Sequence, residues 1–450
     1  SHLDSSLLFA KADWWTAAGP LIAYLHQFAK RSMNRTLMWH LVLLPCLLLT
    51  VTHAVRLEEG ASPASMTLLH SGDGIDCKDI EEVSKEIGSL PDWIGKCTDL
   101  ESLEVGFQDL PGTIPAGLGN LRQLKVLDLS NTGLSGSIPS SLRTLTSLEL
   151  LSLSENVLTG TIPEAFISLI SLHTLWLYDN RLTGQLPHVV FGLLQMEDLG
   201  LALNHITGHV PEKLGQLTEL SQLSLHSNAL TGSLPDIFTS MGELTSVWLN
   251  NNHLTGQLPD TLGQLSQLTI LAFDSNLFSG SIPASFGGMR SLQGLFLDNN
   301  NLTGTLPSEL GLLTELWEVK LNSNQLSGPL PKEIGEWTRL RNLNLRDNAL
   351  SGQIPSTISK LSRLKILTLS KNNFSGKLDG NIDQLCNLTA LYLNTNKNLH
   401  GAIRCRCKWQ NLRYLSFAHT GLGPLDECKR PALEKLQCSG DFGTRPTFQG

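Results

Sequence analysis

The chain has 450 residues, of which 41% are hydrophobic and 16% are charged, so it can bury a large core and is not a disordered polymer. Its 33 basic and 41 acidic residues give a net charge of −8, which excludes the basic surface expected of a nucleic-acid-binding protein.

The amino-terminal segment contains a pattern typical of a secretory signal. The first Met is Met33, and it is followed by Arg35, an apolar stretch over 37–51 and a small residue at a plausible cleavage point. We therefore predict that residues 1–32 form an upstream segment without a structural role and that 33–54 is a signal peptide. A retained signal anchor is the alternative. The protein is then secreted, or held at the plasma membrane if the segment is kept.

The cysteines and the glycosylation sequons agree with an exported protein. No Cys lies between Cys97 and Cys386, and terminal clusters of this kind are typical of disulfides that stabilise the ends of an array. Zinc binding by the carboxyl-terminal cysteines is the alternative. The disulfide candidates are Cys77, Cys97, Cys386, Cys405, Cys407, Cys428 and Cys438. The candidate sites for N-linked glycans are Asn301, Asn373 and Asn387.

A leucine pattern repeats every 24 residues in fourteen units that begin at Leu100 and end near Phe417. Its alternation of apolar residues predicts one short strand per unit, with the leucines pointing inward. One such strand cannot bury its apolar face alone, but stacked coils share a continuous core. An Asn follows most strands, from Asn156 to Asn396, and we expect its amide to pair with the backbone of neighbouring coils. A Gly and a Pro follow where the chain must turn.

This unit resembles the plant-type leucine-rich repeat, and it is seen here as Leu220-Ser-Gln-Leu-Ser-Leu-His-Ser-Asn-Ala-Leu-Thr-Gly-Ser-Leu-Pro235. The resemblance implies an α/β solenoid, an arc of about 14 coils with a parallel β-sheet on its concave side and Cys-containing caps. Short helical or irregular segments are expected behind the sheet. The implied divisions are a linker and cap at 55–99, repeats at 100–423 and a cap and tail at 424–450. Pairing of Cys77 with Cys97 in the amino cap remains a hypothesis.

The resemblance also implies a role in recognition, namely binding of a peptide, a protein or a glycan. We predict an extracellular protein that binds a protein or peptide ligand on its concave face, in signalling or in enzyme inhibition. The same repeats form the ectodomains of plant receptor-like kinases and receptor-like proteins, and the secreted inhibitors of polygalacturonases. We find no nucleophile elbow, zinc-binding helix or phosphate-binding loop, so we predict neither an enzyme nor a bound cofactor or metal. The alternatives are a receptor ectodomain whose membrane span lies outside this sequence, and a structural protein of the wall or matrix.

The outward positions of each strand identify a candidate binding surface on the concave face. Aromatic side chains in an outward register are typical anchors of interfaces. Across the outward positions, nine acidic residues face three basic ones, which favours a cationic peptide or a basic protein as partner. A central His also raises the possibility of an acid-pH switch. The predicted ligand-binding residues are Trp176, Tyr178, His226, Trp248, Asp274, Phe296 and Asp298.

Overall fold

The computed structural model describes Cys77 and residues 88–378, 382–401 and 411–423. All of them belong to one compact unit, Cys77–Gly450. The predicted upstream segment, signal peptide and carboxyl-terminal tail lie outside the described residues. Four of the disulfide candidates do so as well, namely Cys405, Cys407, Cys428 and Cys438.

A parallel sheet of fourteen strands runs through the described repeats, with one strand from each coil and the strands in chain order. Neighbouring strands pair with an offset of one repeat, as in Leu103 opposite Leu127. The middle residue of every strand is buried, so the predicted inward register is confirmed. The strands are Ser102–Glu104, Val126–Asp128, Leu150–Ser152, Thr174–Trp176, Asp198–Gly200, Gln222–Ser224, Ser246–Trp248, Ile270–Ala272, Gly294–Phe296, Glu318–Lys320, Asn342–Asn344, Ile366–Thr368, Ala390–Tyr392 and Tyr414–Ser416.

Short 3-10 helices connect the coils of the described region. Most begin directly after a Pro, such as Pro259 with a φ of −61°, because Pro fixes an extended entry and needs no hydrogen-bond partner for its nitrogen. The implied short helical segments are therefore confirmed, and they are 3-10 in type. They are Asp92–Lys96, Ala116–Asn120, Ser140–Thr144, Glu164–Ser168, His188–Gly192, Glu212–Gln216, Phe238–Ser240, Asp260–Gln264, Ala284–Gly288, Ser308–Leu312, Lys332–Glu336, Ser356–Lys360 and Ile382–Gln384.

A second set of short parallel strands follows the first in most coils and forms four smaller sheets among the described residues. The Gly that recurs in these segments has a positive φ, for example 78° at Gly232, which a residue with a Cβ rarely adopts. These strands are Gly112–Thr113, Leu134–Ser137, Val157–Thr159, Thr207–His209, Ala229–Ser233, His253–Thr255, Ser279–Gly280, Asn301–Leu302, Ser327–Gly328, Ala349–Gly352, Asn373–Leu378, Asn398–Gly401 and Gly421–Leu422.

The repeated Asn residues form a buried ladder, as the sequence predicts. The amide nitrogen of Asn252 donates to the carbonyl oxygens of Leu225 (3.0 Å) and Leu249 (3.1 Å). Its oxygen accepts from the backbone nitrogen of Leu230 at 3.0 Å. Each Asn therefore satisfies backbone groups of its own coil and of the preceding one, which holds neighbouring coils in register.

We expect replacement of Asn252 by Ala to lower the free energy of unfolding by about 1–3 kcal/mol, because it leaves buried backbone groups without partners. Denaturation by guanidinium chloride measures the loss. Gln264→Ala, which removes an exposed amide, serves as the control and is expected to change stability little. An equal loss in both variants would contradict the role of the ladder.

The residue just before each ladder position adopts a left-handed backbone conformation, which the repeat pattern alone does not predict. The φ values at these non-glycine positions lie between 50° at Asn131 and 62° at Phe107. Asn and Asp tolerate this conformation, whereas a long apolar side chain is strained in it. Leu203, with a φ of 57°, is such a case.

Replacing Leu203 by Asn is therefore expected to raise the free energy of unfolding by about 0.5–1 kcal/mol. A thermal melt of the folded protein provides the measurement. Leu277→Asn is the matched control, because Leu277 is exposed and lies outside the left-handed turns. An equal gain of thermal stability in the control, or a loss of stability in Leu203→Asn, would show that the substitution does not act by relieving strain at this turn.

The amino-terminal end of the described array carries a disulfide between Cys77 and Cys97. Cys97 is buried in the core of the array, and Cys77 is partly buried and packs against the same core. Cys386 is also disulfide-bonded. The cross-link ties the chain before the first coil to the core that the coils share.

Candidate ligand-binding face

Four polar residues form a continuous row on the concave side of the sheet. They occupy the same position, two residues beyond the strand, in four consecutive coils. Backbone bonds keep them in register, as between Asn251 N and Asp274 O (3.0 Å) or Ser275 N and Asp298 O (2.8 Å). With about 4.8 Å between strands, the row is roughly 14 Å long. We call Asn250, Asp274, Asp298 and Asn322 the acceptor stripe.

The oxygens of the stripe have fewer donors than they can accept. In the part of the chain that the structure describes, Asn250 Oδ1, Asp274 Oδ1 and Asn322 Oδ1 are buried and have no hydrogen-bond partner. The Asn322 side chain donates a hydrogen bond to Asp298 through its amide nitrogen. This bond orients the Asn322 amide and leaves its oxygen without a donor. All three unpaired atoms are acceptors. A ligand that completes this row must therefore bring donors, such as ammonium, guanidinium or peptide N–H groups.

Two further unpaired acceptors flank the stripe, in the position at which the strands begin. Asn342 donates to Glu318 at 2.7 Å and keeps Oδ1 without a partner, and Asp198 keeps Oδ2 without one. Asp198 is only 4% exposed, and it accepts a hydrogen bond from the Trp176 side chain. Acceptor atoms without a hydrogen-bond donor therefore occur beyond the four residues of the acceptor stripe.

Burial disfavours the charged form of the carboxylates on this face. Burial, with the adjacent Asp298 as the second cause, raises the pKa of Asp274 to about 7. Burial also raises the pKa of Asp298, although Lys320 opposes the shift. Burial raises the pKa of Asp198 to about 7 against the hydrogen bond from Trp176. Asp274 and Asp198 therefore gain their charge near neutral pH, and a cation placed beside the carboxylates of this face would stabilise their charged form.

Burial opposes protonation of the predicted His residue. His226 is 2% exposed, and burial lowers its pKa to about 4. Its ring lies beside that of Trp248, with centroids 6.5 Å apart. The imidazole is neutral at ordinary pH, so the groups that titrate near neutrality on this face are carboxylates.

The predicted aromatic anchors stand in the outward register on the concave side, and two of them are buried. Trp248 and Phe296 are each only 4% exposed, while Trp176 and Tyr178 are half-buried. Small residues beside them leave room for the rings. A Cβ at Gly200 would lie 3.1 Å from the Trp176 ring, for example. Much of the surface of these aromatic side chains is therefore buried.

The cation nearest the stripe is already engaged. Lys320 Nζ lies 3.1 Å from Glu318 Oε1 and 5.1 Å from the centre of the Phe296 ring. It therefore adds little positive charge toward a ligand, and the stripe retains the acidic character that the sequence predicts. The stripe brings together two predicted site residues, Asp274 and Asp298.

Sequence reasoning did not select Asn250, Asn322 or Asp198 as site residues. The signal that could have identified the two Asn residues is their position, which they share with Asp274 and Asp298. Nothing in the sequence reveals that Asp198 is buried. The side chains of the three candidate glycosylation sites, Asn301, Asn373 and Asn387, are exposed.

The described residues contain no group of three or more His, Cys, Asp or Glu side chains arranged to hold a metal ion. None of the helices in the same residues has the length and apolar character to cross a membrane.

Two family profiles match the chain. One, described as Leucine rich repeat, matches residues 122–182. The other, also described as Leucine Rich Repeat, matches 219–241, 243–265, 291–313 and 339–361. A search of curated proteins gave no significant match.

Several solved structures are similar to the chain. The Arabidopsis receptor kinase HAESA, in complex with the peptide hormone IDA and the co-receptor SERK1, is 35% identical with a TM-score of 0.70, covering 74% of this chain and 60% of that one. The plant peptide hormone receptor RGFR1, in complex with RGF2, is 31% identical with a TM-score of 0.66, covering 78% and 63%. A leucine-rich-repeat protein of Leptospira interrogans is 26% identical with a TM-score of 0.55, covering 79% and 93%. The chain thus spans less than two thirds of the two receptor structures.

Proposed function

The chain is a leucine-rich-repeat protein of the plant type, and from that premise we propose that it is an extracellular recognition protein that binds a cationic segment of a peptide or protein on the acceptor stripe. The observation that carries the proposal is the row of buried oxygens without donors at Asn250, Asp274 and Asn322. Leaving such groups unpaired costs free energy, and a donor-rich ligand recovers it when the side chains rotate to bring these oxygens to the surface.

The dimensions of the stripe suit a short extended segment. An extended chain advances about 3.3 Å per residue, so a row of roughly 14 Å accommodates four or five residues. Arg and Lys side chains supply several donors together with a positive charge, and charge-assisted hydrogen bonds to carboxylates are the stronger kind. A polyanion would instead meet the acidic groups at Asp274 and Asp298 and be repelled.

The similar structures favour a receptor role among the possible uses of such a face. Two of them are named as plant receptors in complex with peptide hormones. This similarity favours the ectodomain of a signalling receptor over the two alternatives, an enzyme inhibitor and a structural wall protein. An extracellular location follows from the same proposal.

The proposal predicts that the protein binds hexaarginine amide and not hexaglutamate. The double variant D274N/D298N is expected to weaken hexaarginine binding about tenfold at pH 8, because it removes two carboxylates while keeping their shape. Isothermal titration calorimetry measures the affinities.

The matched control is D179N/D347N, which removes the same charge from exposed positions outside the stripe. It is expected to leave the affinity within about twofold, since exposed charges act weakly. Equal losses in the two double variants would mean that the peptide responds to net charge alone, and the stripe would not be its site.

A further inference from the structure

A basic trough runs along the edge of the sheet at which the strands begin, in the last coils of the described array. Two adjoining cavities of about 410 and 590 Å³ share Arg341 and Arg363 as lining residues. Around these two, Trp317 and Arg339 line the first cavity, and Lys365 and Asn387 line the second. We call the surface formed by these six residues the basic trough.

The trough is continuous because the backbone places its residues on successive rungs. Arg341 N donates to Trp317 O at 2.8 Å, and Lys365 N donates to Arg341 O at 2.8 Å. Thr389 N continues the series by donating to Lys365 O at 2.7 Å. Side chains on these rungs are therefore about 4.8 Å apart, the spacing of neighbouring strands. Such a trough can follow a linear ligand over several coils.

The positive charge of the trough is largely uncompensated. Arg339 is bound to Glu315, but Arg341, Arg363 and Lys365 are exposed and make no salt bridge with any residue that the structure describes. Glu315 is also the one carboxylate among the described residues that line the two cavities. The basic trough therefore attracts anions, in contrast to the acceptor stripe on the concave face.

The other lining groups indicate which anion fits. Arg presents a planar fork of donors that matches a carboxylate with two parallel hydrogen bonds. Neutral amide and hydroxyl groups, from Asn387, Thr389 and Asn411, line the second cavity in the coils that follow the cations, and they suit ligand hydroxyl groups. Trp317 is half-buried at one end and offers the single aromatic surface of this lining. Protein partners normally require several buried apolar anchors, which this lining lacks.

We propose that the basic trough is a second binding site, for a linear acidic glycan that carries a carboxylate on successive sugars. The carboxylates pair with Arg341, Arg363 and Lys365, the hydroxyl groups contact the neutral side chains, and a sugar ring lies against Trp317. This site is separate from the acceptor stripe and does not depend on the function proposed for it.

The test measures binding of hexagalacturonate by isothermal titration calorimetry. Asn387 lies in a glycosylation sequon, so every protein in the assay carries Asn387→Gln, which keeps an amide and prevents a glycan from filling the trough. In that background, R341Q/R363Q/K365Q is expected to weaken binding at least tenfold. The methyl-esterified hexamer, which lacks the negative charges, is expected to bind more weakly by a similar factor.

The matched control is R143Q/K213Q/K332Q, which removes three exposed cations from 3-10 helices elsewhere and is expected to change affinity by less than twofold. A second variant, R341K/R363K, keeps the positive charge but loses the two parallel donors of each guanidinium group. Its loss of affinity for hexagalacturonate is expected to be intermediate. Thermal melts verify that each variant is folded. The proposal is overturned if the control triple loses as much affinity, if hexaglutamate binds as tightly as hexagalacturonate, or if no binding is detected.

Discussion

Replacing Trp248 by Ala is expected to lower the free energy of unfolding by about 3–5 kcal/mol, the range for a large buried aromatic side chain. Although Trp248 stands at an outward position of its strand, it is only 4% exposed. Its strand neighbours in register are Ser224 and Ala272, and the His226 ring packs beside it. Truncation would open a cavity that these small neighbours cannot fill.

Unfolding in guanidinium chloride measures this loss, and Trp176→Ala provides the comparison. Trp176 is half-buried, so a smaller loss of about 1–3 kcal/mol is expected there. Equal and small losses of unfolding free energy in both variants would show that burial of Trp248 does not stabilise the fold. Simultaneous replacement of Trp176, Trp248 and Phe296 is expected to destabilise the fold, because Trp248 and Phe296 are buried. A loss of ligand binding in that variant would therefore not identify a binding site.

The affinity for hexaarginine is expected to rise at least tenfold between pH 5.5 and pH 8, and then to level off. The groups that set this dependence are Asp274, whose pKa burial raises to about 7, and Asp298, whose pKa burial also raises. A cationic ligand prefers the ionised carboxylates, so binding strengthens as the pH rises through their pKa values. Glu318 and Lys320, the other charged groups beside them, act on Asp298 with opposite signs. Titrations at a series of pH values measure the effect.

The D274N/D298N variant is expected to bind hexaarginine weakly at every pH, with a flattened profile. A wild-type affinity that is constant between pH 5.5 and 8, or that falls as the pH rises, would contradict the titration of the stripe. His226 does not produce a competing trend, because burial lowers its pKa to about 4, below this range.

The stability of the fold is expected to follow the opposite trend. The pKa of Asp198 is about 7 in the folded protein and near 3.9 in an unfolded chain, so its contribution to stability is complete below pH 4 and is lost as the pH rises to 7. The loss is on the order of 2–4 kcal/mol for this buried group. Binding of a cation and folding therefore place opposite demands on the carboxylates of the concave face.

The scaffold could be predicted from the sequence because each repeat position has one physical role. The inward Leu of each strand and the Asn of the ladder recur at a fixed spacing, and both lie where the pattern predicts. The left-handed turn could not be predicted in the same way, since very different residues such as Leu203 and Asp179 occupy it. There, the surrounding coil fixes the backbone against the preference of the residue.

The candidate site was predicted only in part, because burial on a concave face depends on neighbouring coils. The outward register of Trp248 was predicted, but its burial depends on Ser224 and Ala272, one repeat away on either side. The raised pKa of Asp274 likewise depends on its surroundings and on Asp298 in the next coil. A single sequence gives the position of each side chain, whereas its exposure and charge state follow from several coils together.

The most direct test of the acceptor stripe is the number of protons released when hexaarginine binds at pH 7. Calorimetry in buffers with different ionisation enthalpies gives this number. Since burial raises the pKa of Asp274 to about 7, this carboxyl group is partly protonated at pH 7 before binding, and a bound cation should displace that proton. We predict a release of protons on binding to the wild type and a smaller release on binding to D274N. Tight binding of hexaarginine without proton release, or with equal release from D274N, would contradict the account.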